Sequence, residues 1–235
     1  MARLSVILCL FALAMAGFGH AAATLPPGFV RLADVAPEIA QDIRYATSNN
    51  FTGRPVAGYL AADCWLRREA AQALALVAKQ LEKSGWRIIV YDCYRPQRAV
   101  ADFVHWAHTK GGEERKAEFF PAIAKQNLFA LGYIARASAH STGLAVDAGA
   151  VLPGGQTVDF GSGFDLFDPR SATASKAIPS QASANRQILT AAFAAHGFAG
   201  YAREWWHFSY RAAGATLSLD APVIQLGQPG RGNAS

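Results

Sequence analysis

The sequence predicts a single α+β domain. Its 235 residues, of which 51% are hydrophobic, suit one compact domain with a sizeable core. Charged residues make up 17% of the chain, too few for a largely disordered protein. Helical and strand patterns are mixed along the chain without regular β–α alternation, and this mixture indicates an α+β architecture.

The first half of the chain predicts helices around one strand. Apolar residues recur at helical spacing over 66–81, and Asp63 is placed to cap the start of that helix. Residues 86–91 (W-R-I-I-V-Y) predict a buried strand. Pro96 is well placed to begin another helix. Residues 113–128 are expected to be helical on either side of a proline.

The second half predicts two strands and one helix around a long loop. Residues 144–152 (L-A-V-D-A-G-A-V-L) predict a strand, and the P-G-G-Q turn after it suggests a hairpin with T-V-D-F. Residues 161–181 form a loop rich in Gly, Ser, Asp and Pro, and a loop of that length is often functional. A helix over 185–196 and a final strand over 204–210 complete the expected elements.

The two ends of the chain differ in composition from the expected domain, 24–219. Residues 1–23 have the features of a signal peptide: Arg3 precedes a short apolar run, and Ala23 ends a small-residue cleavage site. The apolar run is shorter than the roughly 20 residues of a membrane span, so we expect no stable membrane insertion after cleavage. The protein is therefore expected to be periplasmic or secreted. Residues 220–235 are expected to be a flexible tail.

Cysteine usage and charge limit the kinds of partner. Outside the signal segment only Cys64 and Cys93 remain, and in an oxidising compartment they are available for a disulfide, although sequence leaves open whether they meet. The net charge is +5, but the basic residues are scattered and their longest run is Arg67-Arg68. We therefore expect no nucleic-acid partner.

Three residues suggest a metal site. The stretch S-A-H-S-T-G-L-A-V-D (138–147) contains His140 and Asp147, and E-W-W-H (204–207) ends on His207. Two histidines and a carboxylate suit a catalytic zinc ion with an open position for water. Glu204 would then be the acid–base group. The alternative, left open by the spacing, is that each histidine is an ordinary polar residue near the core.

The metal hypothesis sets two geometric conditions. His140 and Asp147 converge only if a turn lies between them. In a regular strand Glu204 and His207 face opposite sides, so they share a site only if the strand bends or bulges between them. Regular alternation would also pair His207 with Trp205 on one face and place Trp206 in the core.

These motifs resemble those of zinc D,D-peptidases, and in particular the D-alanyl-D-alanine dipeptidases of the vancomycin-resistance type. S-x-H-x-x-G-x-A-x-D and E-x-W-H are similar to the metal motifs of that family. Residues 43–53 resemble its N-terminal signature, 91–96 its arginine motif and 163–168 the loop after the metal motif. The resemblance extends over about 30–211 and implies a hedgehog-type fold, with a small, mostly antiparallel sheet flanked by helices.

The resemblance also implies the chemistry of the site. It implies one zinc ion per chain, held by His140, Asp147 and His207. It implies that Glu204 is the general base and that Arg95 stabilises the oxyanion of the tetrahedral intermediate. The expected product is two molecules of D-alanine from one D-alanyl-D-alanine.

Three further positions match the family near the substrate: Ser138, Asp92 and Asp165. Asp165 is a candidate to bind the free amino group of the dipeptide, with capping of its loop as the alternative. Arg95 has a structural alternative too, an ion pair with Asp92. A closed pocket with an acidic anchor would reject longer peptides, since extension at the N-terminus removes the charge and adds bulk.

Two other functions remain open at this stage. One is a zinc D,D- or L,D-carboxypeptidase that trims peptidoglycan stem peptides in an open cleft. The other is a non-catalytic, zinc-containing domain that binds the cell envelope. An exported chain also departs from the cytoplasmic resistance enzymes of the family, and Ala139 stands where a basic residue is expected. The sequence leaves the oligomeric state open.

Overall fold

The computed structural model describes residues 24–211 and 216–226. The strands are β1 (Phe29–Arg31), β2 (Ala40–Gln41), β3 (Trp65–Arg67), β4 (Arg87–Asp92), β5 (Ala145–Val151), β6 (Phe198–Tyr201) and β7 (Glu204–Tyr210). The helices are α1 (Leu32–Val35), α2 (Arg68–Glu82), α3 (Gln97–His108), α4 (Lys116–Phe119) and α5 (Ser180–Ala195).

The strands form one main sheet and one small ribbon. The main sheet has the order β2-β4-β5-β7-β6, in which only the β2–β4 pair is parallel. The ribbon pairs β1 with β3 in antiparallel fashion. The predicted α+β class, with a mostly antiparallel sheet flanked by helices, is therefore confirmed.

The two long helices cover one face of the main sheet. α2 contacts β4, α5 contacts β6 and β7, and the two helices contact each other. The apolar side of α2 is buried, including Leu74 and Leu81, as its helical spacing predicts. On α5 the Phe193 ring stacks on Phe208 of β7, with centroids 3.8 Å apart. The opposite face of β5 and β7 is left for polar side chains.

The first long helix begins later than predicted, and the capping role of Asp63 is wrong. Residues 65–67 pair with β1 instead of joining the helix, so α2 starts at Arg68. The Asp63 carboxylate accepts hydrogen bonds from Arg31 Nε at 2.8 Å and from Trp65 Nε1 at 3.1 Å. Strand β4 and helix α3, which starts directly after Pro96, match the prediction.

The second half departs from prediction in three places. The expected hairpin is reduced to a single bridge between Val151 and Thr157. The last helix starts at Ser180, five residues earlier than expected, directly after Pro179. Strand β6 was not predicted. It pairs with β7, which lies where the final strand was predicted. In the first half, the helical prediction over 113–128 is met only by α4 and a short 3-10 turn, Lys125–Asn127.

The expectation of a loose tail is wrong for the part of it that the structure describes. Val223 is fully buried and forms a parallel bridge with Tyr59. Asp220 pairs with Arg98 at the start of α3, with Nη2 and Oδ2 3.0 Å apart. The predicted signal peptide and the end of the tail lie outside the described residues. Among the described residues, no helix is long and apolar enough to cross a bilayer.

Candidate active site

Asp147 and His207 face each other across two neighbouring strands. They are directly paired in the β5–β7 register, next to the pair Val146 and Phe208. Phe208 points to the helices, because its ring stacks on Phe193 of α5. Since side chains alternate along a strand, Asp147 and His207 point to the opposite face.

A tight turn brings His140 to the same place. The 3-10 turn Ala139–Thr142 ends at Gly143, which adopts a left-handed φ of 76°. A side chain at Gly143 would overlap the Phe29 ring, so this position needs glycine for both conformation and space. Ser138 caps the turn by accepting a hydrogen bond from the His140 backbone N–H at 3.2 Å. The predicted turn between His140 and Asp147 is therefore present.

The three side chains converge on one point. His140 Nε2, His207 Nδ1 and Asp147 Oδ1 form a triangle with sides of 3.1, 3.0 and 3.2 Å. With metal–ligand bonds of roughly 2.0–2.1 Å, two ligands of a tetrahedral zinc ion lie about 3.3 Å apart. The donor set and its spacing therefore fit a zinc ion with one open position.

The outer hydrogen bonds of the two imidazoles suit the same arrangement. His140 Nδ1 lies 2.7 Å from the Cys93 carbonyl oxygen, which can only accept, so the proton is on Nδ1 and the Nε2 lone pair is free. His207 Nε2 lies 3.1 Å from Ser209 Oγ, and a proton there leaves the Nδ1 lone pair free. If the two histidines are protonated instead, their charge and hydrogen bonds hold the pKa of Asp147 below its usual range, although burial alone would raise it.

A bulge in β7 brings Glu204 into the pocket. Gly200 pairs with Phe208, yet the next residue, Tyr201, pairs with Glu204, so β7 contains extra residues at this point. Glu204 and His207 consequently line the same cavity. Trp206 is buried in the core, as expected. The expected pairing of His207 with Trp205 is wrong because of the bulge: Trp206 lines the cavity with His207, whereas Trp205 stacks on Phe160.

Glu204 is a poorly solvated acid. Burial raises the pKa of its carboxyl group to about 7, and the nearby negative charge of Asp147 acts in the same direction. A carboxyl group whose pKa lies near neutrality can both accept and return a proton at physiological pH.

Arg95 supplies a fixed cation to the cavity. Its Nε donates to Asp92 Oδ2 at 2.9 Å, and its Nη2 lies 3.7 Å from Asp147 Oδ2. The guanidinium also lies over the Tyr45 ring, 5.0 Å from the centroid. Asp92 itself is fully buried, does not line the cavity and accepts a second hydrogen bond, from Tyr59. The predicted substrate contact of Asp92 is therefore wrong; Asp92 instead holds Arg95.

Asp165 lies in the same cavity, on the loop between β5 and α5. Its carboxylate accepts a hydrogen bond from the Tyr45 hydroxyl at 2.7 Å, and the side chain is buried. Burial raises the pKa of Asp165 to about 7, although the Tyr45 hydrogen bond lowers it. A cation that enters the cavity would stabilise the ionised form of this carboxyl group.

The cavity has a volume of about 320 Å³ and mixes polar ends with aromatic walls. The candidates Ser138, His140, Asp147, Asp165, Glu204, His207 and Arg95 all line it. Three aromatic walls were not predicted: Tyr133, Tyr201 and Trp206. A fourth, Phe167, lies in the loop that was expected to be functional. Tyr201 lies on the unpredicted strand β6, and Tyr133 lies in a segment whose sequence has no periodic pattern.

The cysteine pair adjoins this site. Cys64 and Cys93 form a disulfide, with Cα atoms 5.3 Å apart, which answers the question that the sequence left open. Cys93 directly follows Asp92 and supplies the carbonyl oxygen that holds His140. The disulfide thus fixes the chain segment that orients one candidate ligand.

Known proteins resemble this chain over most of its length. The family model described as D-Ala-D-Ala dipeptidase matches residues 26–225. The D-alanyl-D-alanine dipeptidase of Streptomyces coelicolor is 38% identical over 78% of this chain and 91% of its own length. The D-alanyl-D-alanine dipeptidases of Enterococcus faecium and Enterococcus faecalis are 37% and 35% identical, over 78% and 77% of this chain and 92% and 90% of their own lengths.

Proposed function

The chain belongs to the D-Ala-D-Ala dipeptidase family of metallopeptidases, and we propose that it hydrolyses D-alanyl-D-alanine to two D-alanines with one zinc ion. The observation that carries the proposal is the shared cavity. Three metal donors, a carboxyl group near neutrality, a fixed guanidinium and a second buried carboxyl group all line it.

The metal would be held by His140, Asp147 and His207, whose donor atoms have the spacing and free lone pairs described above. A zinc ion in such a site supplies an activated water at neutral pH and polarises the scissile carbonyl group. Glu204 would accept the proton of the attacking water and return it to the leaving amine. Burial, the largest cause of the raised pKa of Glu204, supports return of the proton to the leaving amine.

Arg95 would stabilise the negative charge that develops on the carbonyl oxygen. Its guanidinium is 14% exposed, held by Asp92 and unable to turn away from the cavity. A preorganised donor of this kind stabilises a transition state without reorganising when charge appears. Removing one such donor typically costs about 2.7–4 kcal/mol of transition-state stabilisation.

Asp165 would bind the ammonium group of the dipeptide. Its carboxyl group is costly to ionise, because it is buried and lies in the field of Asp147, and Arg95 offsets only part of that cost. The ammonium group of a free dipeptide would compensate that cost. A stem peptide has an amide at the corresponding nitrogen and brings no charge, so Asp165 favours the dipeptidase over the carboxypeptidase reaction.

The decisive experiment supplies the zinc-loaded protein with D-Ala-D-Ala or, separately, with a stem peptide ending in D-Ala-D-Ala, and measures released D-alanine. Release from the dipeptide alone is the expected result. Release from the stem peptide would instead support a carboxypeptidase and remove the role given to Asp165. Release from neither, with zinc present, would contradict both. Glu204→Gln is the matched control, because it removes the base while leaving the three ligands.

We also propose that the protein is exported and acts in the periplasm or outside the cell. The composition of residues 1–23 and the Cys64–Cys93 disulfide support this, since disulfides persist in oxidising compartments. Mass spectrometry of the protein recovered from its native host should then give an N-terminus at Thr24. An intact N-terminus in the cytoplasmic fraction would contradict export.

A further inference from the structure

The loop that carries Asp165 needs support from outside itself. This segment, residues 159–172, is called the Asp165 loop below; its only regular piece is the short 3-10 turn Pro169–Ser171. Asp165 adopts a φ of 58°, and among the residues that the structure describes no other non-glycine residue has a positive φ. A non-glycine residue keeps such a conformation only where the surrounding structure holds it.

Arg186 of α5 ties the two ends of the Asp165 loop together. Its guanidinium donates to the Phe160 carbonyl at 2.7 Å near the start of the loop. It donates to the carbonyls of Arg170 at 2.9 Å and Ala172 at 2.6 Å near the end. The planar fork of arginine has five N–H donors, so one side chain can satisfy three carbonyl groups at once. Asp165 lies between these anchor points.

The same guanidinium reaches the strand that carries Glu204. Arg186 Nη2 donates to Ser162 Oγ at 3.3 Å, and that oxygen also accepts from Trp205 Nε1 at 2.9 Å. Trp205 is the neighbour of Glu204 on β7. Arg186 therefore fixes the Asp165 loop relative to the strand that carries the proposed base.

The burial of Arg186 points to a dedicated role. The residue is 1% exposed, and its hydrogen-bond partners are three backbone carbonyls and one hydroxyl group. Burial lowers the pKa of its guanidinium to about 10, so the side chain is still charged at neutral pH. A buried cation is stable only where hydrogen bonds replace its hydration, and here backbone carbonyls of the loop supply most of them.

We propose that Arg186 is a positioning residue that holds Asp165 at the distance required to bind the ammonium group of the substrate. It does not line the cavity, so any effect on the reaction passes through the Asp165 loop or, by way of Ser162, through Trp205 on β7. The inference rests on the proposed function, because it takes Asp165 as the ammonium anchor. It predicts that Arg186 controls the affinity for the dipeptide more than the rate of the chemical step.

The test compares Arg186→Lys and Arg186→Gln with the wild-type enzyme, all zinc-loaded, at a temperature well below their unfolding midpoints. The KM for D-Ala-D-Ala should rise at least tenfold in Arg186→Gln and less in Arg186→Lys, while kcat stays within about threefold and zinc content stays at one per chain. Unchanged KM values in both variants would overturn the inference, as would a fall in kcat with KM unchanged.

A matched control separates positioning from general stability. Lys125 is another buried cation whose ammonium group donates to backbone carbonyls, those of Thr109 and Gly111, in a loop that does not line the cavity. Lys125→Met should lower the unfolding midpoint and leave KM unchanged. A KM increase in Lys125→Met equal to that in Arg186→Gln would overturn the inference.

A double-mutant cycle with Asp165→Asn tests the path of the effect. If Arg186 acts through Asp165, Arg186→Gln should raise KM much less in the Asp165→Asn background than in the wild type. Equal increases in both backgrounds would overturn the inference. Wild-type activity on D-Ala-D-Ala is measured alongside: its absence would contradict the proposed function, whereas its presence with additive KM effects would remove only the role of Arg186.

Discussion

Replacing Arg95 with Met tests whether its cation acts in the reaction or only neutralises a buried carboxylate. Both roles are compatible with its contacts. Arg95 lines the cavity, and it also forms an ion pair with Asp92, with Nη2 and Oδ2 2.8 Å apart. The single variant removes both functions at once, so it is informative only beside Arg95→Met/Asp92→Asn, in which the carboxylate charge is removed too.

The two roles predict different magnitudes in the two variants. Arg95→Met leaves Asp92, which is fully buried, without its cation, and breaking a buried ion pair typically lowers the free energy of unfolding by about 3–5 kcal/mol. Asp92→Asn should restore most of that loss, because the amide is neutral and can still accept from the Tyr59 hydroxyl. The loss of an oxyanion donor, about 2.7–4 kcal/mol, corresponds to a fall in kcat of roughly 100- to 1,000-fold.

Urea denaturation and steady-state hydrolysis of D-Ala-D-Ala measure the two effects separately. We expect the double variant to regain stability while its kcat stays 100- to 1,000-fold below wild type. Zinc content should remain at one per chain in both variants, since Arg95 supplies no ligand. A double variant that regains both stability and near-wild-type kcat would refute the oxyanion role and leave Arg95 as the structural partner of Asp92.

Three further predictions follow from the same geometry. His140→Ala should lose zinc as measured by metal analysis, whereas Glu204→Gln should keep zinc and lose about 10²- to 10⁴-fold in kcat; equal behaviour of the two would contradict the separation of ligand from base. Because the pKa of Asp165 is raised to about 7, its ionised form is disfavoured in the free enzyme below that pH. The KM for D-Ala-D-Ala should therefore fall as pH rises through 7. The pH profile of KM in Asp165→Asn should lack that change. In the double variant Cys64→Ser/Cys93→Ser, the free energy of unfolding should fall by about 3–4 kcal/mol, the loop entropy that corresponds to a sequence separation of 29. The same variant should bind zinc more weakly in a chelator competition. Unchanged zinc affinity would contradict the link from Cys93 to His140.

The sequence predicted those elements whose signal is local. The helical spacing within α2 and the apolar run of β4 both survive in the structure, because each depends on burying one face of its own segment. The short strands β3 and β6 were missed. β3 depends on a partner far along the chain, Phe29–Arg31, whereas β6 pairs with the strand that directly follows it. In both cases three or four residues carry too little pattern of their own.

The candidate site shows the same limit. The residues that converge on the metal position were found because they stand in two compact motifs. Asp92 was predicted to lie near the substrate, whereas in the structure its fully buried carboxylate binds Arg95 and does not line the cavity. Arg186 gave no signal at all. Its partners are backbone carbonyls 14 to 26 residues away, and a carbonyl group has no sequence signature.

The charges around the cavity favour a zwitterionic dipeptide over a longer peptide. Asp92, Asp147, Asp165 and Glu204 lie at or behind the cavity, and Arg95 is the cation that faces them. Burial together with mutual repulsion raises the pKa of both Asp165 and Glu204 to about 7, so the protein alone does not fully stabilise their ionised forms. In the proposed mechanism, a divalent ion at the histidines would offset the charge beside Glu204, which would leave Asp165 to be neutralised by the substrate. Only a substrate with a free ammonium group on the residue that contributes the scissile carbonyl would do so, because an acylated nitrogen carries no charge. On the proposed function, selectivity for a dipeptide would therefore follow as much from the cationic partner that Asp165 requires as from the volume of the cavity.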